Sequence, residues 1–213
     1  ILLTPREERT GQIAAGRSFY GVLSVTDEPA SQPRPLRRLY HGRILHGSQF
    51  VPEALRRQVT SYYTPGSGIE VALNQHPRRM GSLPLTIGVA GLGAGTVAGW
   101  GQAFDQLRFF EIDPLVAEFS QRYFTYVEDS PAHVEIVMGD ARLSLERQMR
   151  SEQRQHTYDV LAIDDDVRRL IAVDDTVGLA AAGEERVVSF VVTNAAESLR
   201  ASLGRLGVGA GVE

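Results

Sequence analysis

From residue 84 onward, short apolar runs alternate with helix-like segments. LTIGVAG (85–91), LRFFEID (107–113), VEIVMGD (134–140) and YDVLAID (158–164) read as buried strands. Between them, GAGTVAGWGQ begins a helix, and ARLSLERQMR is another. PLVAEFSQRYF is a helix with Pro114 in its first turn, where the missing N–H costs nothing. RVVSFVVTN (186–194) predicts a late strand and AESLRASLGRLG a closing helix. Strands and helices in this rhythm predict βαβ crossovers and a parallel sheet, hence an α/β fold. Such sheets bind ligands at the carboxyl ends of their strands.

The first 80 residues follow another pattern. SFYGVLSV (18–25) and RRLYHGRILHG (37–47) are strand-like, rich in aromatic and branched residues, with the turn region EPASQPRP between them. VPEALRRQ predicts one short helix, TSYYTPGSG a loop, and IEVALNQ (69–75) a helix. The expected division is a small β-rich domain over 1–80 and a nucleotide-binding domain over 81–213.

In TIGVAGLGAGTVAGW (86–100), Gly91, Gly93 and Gly95 leave backbone N–H groups open to an anionic or polar ligand group. Many strand–helix junctions use such glycines only for tight packing, so the downstream residues decide. Glu111 lies 20 residues past Gly91, where a nucleotide-binding βαβ unit places a carboxylate on the ribose hydroxyls. The alternative is a helix cap, but Asp113, directly before Pro114, is the better cap. Asp140, in GDAR, is suited either to an exocyclic adenine amine or to capping ARLSLERQ. Asp164 ends the fourth strand near where the reactive end of a bound cofactor would sit; the bland alternative is one solvated acid of a DDD run. The loop lacks the last glycine of GxGxxG and is closer to the GxGxG of S-adenosylmethionine sites.

Composition narrows the chemistry. The 213 residues carry 22 basic side chains, all of them Arg, and no Cys. That excludes disulfides, thiolate metal sites, cysteine nucleophiles, Schiff-base lysines and the P-loop lysine. No two of the five histidines are spaced i,i+4, so no zinc site is expected. Residues 1–80 hold 11 Arg against 6 acids, a balance of +5; residues 81–213 hold 11 against 20, a balance of −9. An acidic main domain disfavours nucleic acid and is compatible with a cationic substrate, although solvated faces would give the same count. No apolar run reaches the ~18 residues of a membrane span. The opening ILLTPREER, without initiator Met or signal pattern, reads as the start of a piece of a longer chain.

The segments RSFYGVLSV, LYHGRILHGSQF, TSYYTPGSGIEVAL, GVAGLGAGT, FFEIDP, GDARLSLE and YDVLAID resemble the spermidine synthase-like family, the polyamine aminopropyltransferases. The resemblance runs from about residue 17 to 164, and HGSQF, YYT and EIDP carry more of it than the glycine loop. It implies a Rossmann-like, S-adenosylmethionine-dependent transferase sheet behind a small β-domain. Between them lies a cleft for decarboxylated S-adenosylmethionine and an amine such as putrescine, with no metal. By position, Gln49 would sit by the sulfonium side, and Tyr63 and Tyr62 would line the amine channel. Gly91, Gly93 and Gly95 would approach the aminopropyl and ribose portion, Glu111 the ribose and Asp140 the adenine. Asp164 matches the first acid of the catalytic loop, which orients the attacking amine and helps remove its proton. The resemblance also implies a cytoplasmic protein or the soluble domain of a membrane-linked chain, and a homodimer.

Two departures keep other readings open. Ala94 stands where synthases place an acid against the donor's terminal ammonium, so ordinary S-adenosylmethionine is the alternative donor. After residue 164 the chain reads DDDVRRLIAVDDTVGLAAAGEER, with Val167 or Arg169 where an amine-binding residue belongs. A small-molecule methyltransferase and an inactive nucleotide-binding domain of a larger protein are therefore the alternatives.

Overall fold

A computed structural model describes residues 11–150, 158–163 and 189–192. They form a mixed α/β structure with one antiparallel and one parallel sheet. The antiparallel sheet runs in the order β1 (Gln12–Arg17), β2 (Val22–Asp27), β3 (Leu36–His41) and β4 (Ile44–Phe50). Leu23 and Val25 of β2 and Leu39 of β3 point into the core, joining Ile69, Leu73 and Phe119 in one apolar cluster. Ser24 and Thr26, on the opposite face of β2, are buried too.

The connection over residues 51–85 carries α1 (Gly68–Asn74) and the single turn α2 (Pro77–Met80). The parallel sheet is then built from β5 (Thr86–Ala90), β6 (Gln106–Glu111), β7 (His133–Met138), β8 (Val160–Ile163) and β9 (Ser189–Val192). Its order is β7-β6-β5-β8-β9, so growth of the sheet reverses direction between β5 and β8. Helix α3 (Pro114–Tyr123) follows β6, and α4 (Ala141–Arg150) follows β7. Near-continuous apolar sequences such as VLAI in β8 fit strands covered on both faces.

The sequence expectations hold for the parallel strands β5 to β8, for α1, α3 and α4, and for a late strand at β9. Four others change. RRLYHGRILHG is two strands folded back on each other at Gly42–Arg43, with His41 opposite Ile44. Only the second half of SFYGVLSV is strand; residues 18–21 make a tight turn in which the Ser18 N–H donates to the Gly21 carbonyl. VPEALRRQ is a run of turns rather than a helix, and its Arg56 carbonyl is taken by the Gln49 side chain. After the glycine loop only a 3-10 segment, Thr96–Trp100, forms. Gly99 and Gly101 are poor helix formers, and the Ala98 carbonyl is claimed by Ser130 Oγ at 2.8 Å. The predicted closing helix lies outside the described residues.

Candidate functional site

The site is built at the carboxyl ends of β5, β6 and β7, which backbone hydrogen bonds hold in line. The Gly91 N–H donates to the Phe110 carbonyl (2.8 Å) and the Gly139 N–H to the Glu111 carbonyl (2.7 Å). Gly91, Glu111 and Asp140 therefore occupy neighbouring strand ends on one rim.

Gly91, Gly93 and Gly95 all have positive φ, +93°, +54° and +79°. Their surroundings separate them. A Cβ on Gly93 would lie 2.5 Å from the His46 carbonyl oxygen, and one on Gly95 would meet Val127 at 3.0 Å. Both glycines answer to packing inside the protein. A Cβ on Gly91 would meet nothing within 4 Å, so this position faces open space. Close approach is reciprocal: a Cβ on Gly47 would lie 2.6 Å from Cβ of Ala94, and the Ala94 N–H donates to the His46 carbonyl at 3.3 Å. His46 and Gly47 of HGSQF thus abut the glycine loop, a role that no local pattern in the sequence announces.

Glu111 is buried at the end of β6. Its Oε2 accepts the Leu92 N–H at 2.9 Å and its Oε1 the Asp113 N–H at 2.9 Å. Burial raises this carboxyl above its ordinary value, against the opposing pull of the Asp113 and Leu92 amides. A carboxylate offers about four lone-pair sites. The Leu92, Asp113 and Ile112 amides draw on these sites, and the remaining capacity can accept a hydroxyl donor.

Asp113 is the cap expected from the sequence: Oδ1 accepts the Leu115 N–H at 2.9 Å and Oδ2 accepts the Ser18 hydroxyl at 2.6 Å. That second bond ties the antiparallel sheet to the rim, and Ser18 was not legible as a site neighbour. Asp140 caps α4, with Oδ1 accepting the Leu143 N–H at 2.9 Å. Its other oxygen accepts no hydrogen bond among the described residues. Capping is thereby established for Asp140, and a base contact remains compatible with it.

Gln49 is buried and engaged on both ends of its amide. Nε2 donates to the Arg56 carbonyl and to Thr125 Oγ1, both at 2.9 Å, while Oε1 accepts the Thr125 N–H at 3.0 Å. It braces β4 against the segment after α3. Beside it the Tyr126 hydroxyl donates to the Gln58 carbonyl at 2.8 Å, and burial pushes this phenol up to about 12. Tyr62 and Tyr63 lie with ring centroids 4.4 Å apart, and Tyr63 packs on the core while its carbonyl accepts the Trp100 indole N–H. Asp164 lies outside the described residues, one position beyond the end of β8.

Two depressions lined by described residues lie away from the rim. One of about 440 Å³ is bounded by residues such as Arg34, Phe50 and Ser61. A smaller one of about 110 Å³ includes Gln49 and Arg56. Among the described residues no three His, Cys, Asp or Glu are grouped to hold a metal ion. Among them no helix is long and apolar enough to cross a membrane.

No protein-family model matches the chain. No curated protein matches it either. Among solved structures it is similar to a probable spermidine synthase from Corynebacterium glutamicum ATCC 13032, with 16% identity and a TM-score of 0.47. The match covers 71% of this chain and 51% of that one, so the chain spans about half the length of that synthase. At this identity and score, no residue role is carried across from it.

Proposed function

We propose that the parallel sheet is a Rossmann-like nucleoside-binding unit and that the chain is a transferase-type protein of the aminopropyltransferase kind. Its donor would be decarboxylated S-adenosylmethionine and its acceptor a small amine. The observation that carries the reading is Glu111, a buried carboxylate held by the Leu92, Asp113 and Ile112 amides at the strand end beside Gly91, where a Cβ would meet nothing within 4 Å. A ribose hydroxyl donating to this carboxylate makes a charge-assisted hydrogen bond, which is stronger than a neutral one. Asp140 offers its second oxygen to the adenine amine. The strand order supports the same placement, since open parallel sheets bind ligands at the carboxyl rim near the reversal, here between β5 and β8.

Gln49 keeps one lone pair on Oε1 for the sulfonium side, and Tyr62 and Tyr63 are assigned to the amine. The sulfonium supplies an electrophilic carbon. An alkyl amine titrates near ~10 and is mostly protonated at neutral pH, so Asp164 is assigned to orient it and take its proton. In this reading residues 1–80 and 81–213 are two units, and the assembly is a homodimer.

A second reading, methyl transfer from S-adenosylmethionine, is favoured by Ala94. This residue is buried, its Cβ only 2.6 Å from where a Cβ on Gly47 would stand, and it offers no charge to a donor ammonium. Calorimetric titration with methylthioadenosine, S-adenosylmethionine and the decarboxylated form separates the two. Tightest binding of the decarboxylated form supports aminopropyl transfer, and preference for the carboxylated donor supports methyl transfer. Absence of binding by all three overturns both.

A further inference from the structure

The turn between β1 and β2 is tied to the loops of this rim by a circuit of contacts from two sides. On one side the Ser18 hydroxyl donates to Asp113 Oδ2 (2.6 Å), and the Asp113 N–H donates to Glu111 Oε1 (2.9 Å). On the other, the Tyr20 carbonyl meets His41 Nε2 (2.9 Å), the His41 and His46 rings pack at 5.3 Å, and the His46 carbonyl accepts the Ala94 N–H. The Leu92 N–H, donated to Glu111 Oε2, closes the circuit. Within the turn, Ser18 Oγ also accepts the Tyr20 N–H (3.0 Å), so its backbone is fixed.

The side chain displayed by this anchored turn is aromatic and almost wholly in water. Phe19 is 95% exposed, its ring edge-on to Tyr20 at 5.3 Å. Ile112, between Glu111 and Asp113, is exposed, as is Met138, which stands in register beside Glu111 at the end of β7. Leu143, whose N–H caps on Asp140, is exposed as well. Apolar surface thus gathers around carboxylates that face the same rim. A purine has this dual character, with polar edges and an apolar face.

We infer that Phe19, with Tyr20 behind it, is the aromatic cover of the nucleoside site and packs against the base of a bound adenosine derivative. The inference rests on the nucleoside reading above and adds a specificity residue to it. Phe19 is a binding residue here and takes no part in bond making. Stacking a base on an aromatic side chain corresponds to about fivefold to a hundredfold in affinity.

The test titrates methylthioadenosine into the wild-type chain, Phe19→Ala and Phe104→Ala by calorimetry. Phe104 is a comparably exposed aromatic (83%) just before β6, at the opposite end of the sheet. The expected result is a loss of at least about fivefold for Phe19→Ala, no change for Phe104→Ala, and unaltered thermal unfolding for both. A second readout uses Phe19→Trp, where methylthioadenosine should quench the new indole and methylthioribose, which lacks the base, should not. Wild-type binding with undiminished affinity in Phe19→Ala and no quenching in Phe19→Trp overturns the cover while leaving the nucleoside site standing. Absence of wild-type binding overturns the nucleoside reading and the cover with it.

Discussion

Arg79 grips Asp105 through two parallel hydrogen bonds, Nη1 to Oδ1 at 2.9 Å and Nη2 to Oδ2 at 2.7 Å, and Asp105 is fully buried. The same carboxylate accepts the Leu85 N–H and the Gln102 N–H, both at 2.8 Å. Leu85 precedes β5 and Asp105 precedes β6, so one side chain staples the starts of the two strands whose far ends carry Gly91 and Glu111. Asp105→Ala leaves a buried guanidinium and two amides without partners, and breaking such a pair costs about 3–5 kcal/mol. Urea unfolding should show a loss of that order, and a loss below about 1 kcal/mol would contradict the staple.

The glycine loop makes a paired prediction. Gly93→Ala must move the His46 carbonyl and hold a side chain at φ +54°, so it should cost about 2 kcal/mol or more of stability. Gly91→Ala meets only the strain of its positive φ, roughly 1–2 kcal/mol. It should nonetheless be the variant that weakens methylthioadenosine binding more per unit of stability lost. Denaturation and calorimetry on both variants check the order.

Gln49 ties β4 to the segments at Arg56 and Thr125 with three hydrogen bonds. Gln49→Ala strips partners from the Arg56 carbonyl and the Thr125 amide, and losing a buried partner costs about 1–3 kcal/mol. The midpoint of urea unfolding should fall accordingly. Retained stability would mean that Thr125 and Arg56 are satisfied without it.

Glu111 has a pH signature of defined sign. Its folded carboxyl titrates above its ordinary value of 4.5 because burial disfavours the charge. Between those two values the folded state holds more protons than the unfolded one, so stability attributable to this group falls as pH rises. The wild-type chain should therefore lose stability relative to Glu111→Gln as pH climbs from about 4.5 through the folded value. Parallel stability curves for the two chains would contradict the burial of the charge. Methylthioadenosine should bind more weakly at the acid end, where the carboxyl is neutral.

Much of the rim was legible because its signals are local. Apolar runs ending in glycine or acid marked β5 to β8, and Asp113 before Pro114 marked a cap that its bond to the Leu115 amide bears out. The missed features depend on partners far along the chain. QIAAGR carries a single strong strand former, Ile13, and its pairing with β2 makes it a strand. VPEALRRQ looks helical until Gln49 takes the Arg56 carbonyl. Gly93 looks like a ligand-facing glycine until the His46 carbonyl, 47 residues earlier, is found against it. Ser18, bonded to Asp113 across 95 residues, lies in a segment whose pattern reads as strand and gives no sign of that partner.

The central claim is that Glu111 holds a nucleoside diol at the rim of the parallel sheet. Calorimetric titration of methylthioadenosine into the wild-type chain and Glu111→Ala at neutral pH tests it most directly. The account predicts measurable wild-type binding and at least a tenfold loss in the variant, about 1.4 kcal/mol. Equal affinity in the two chains would contradict it.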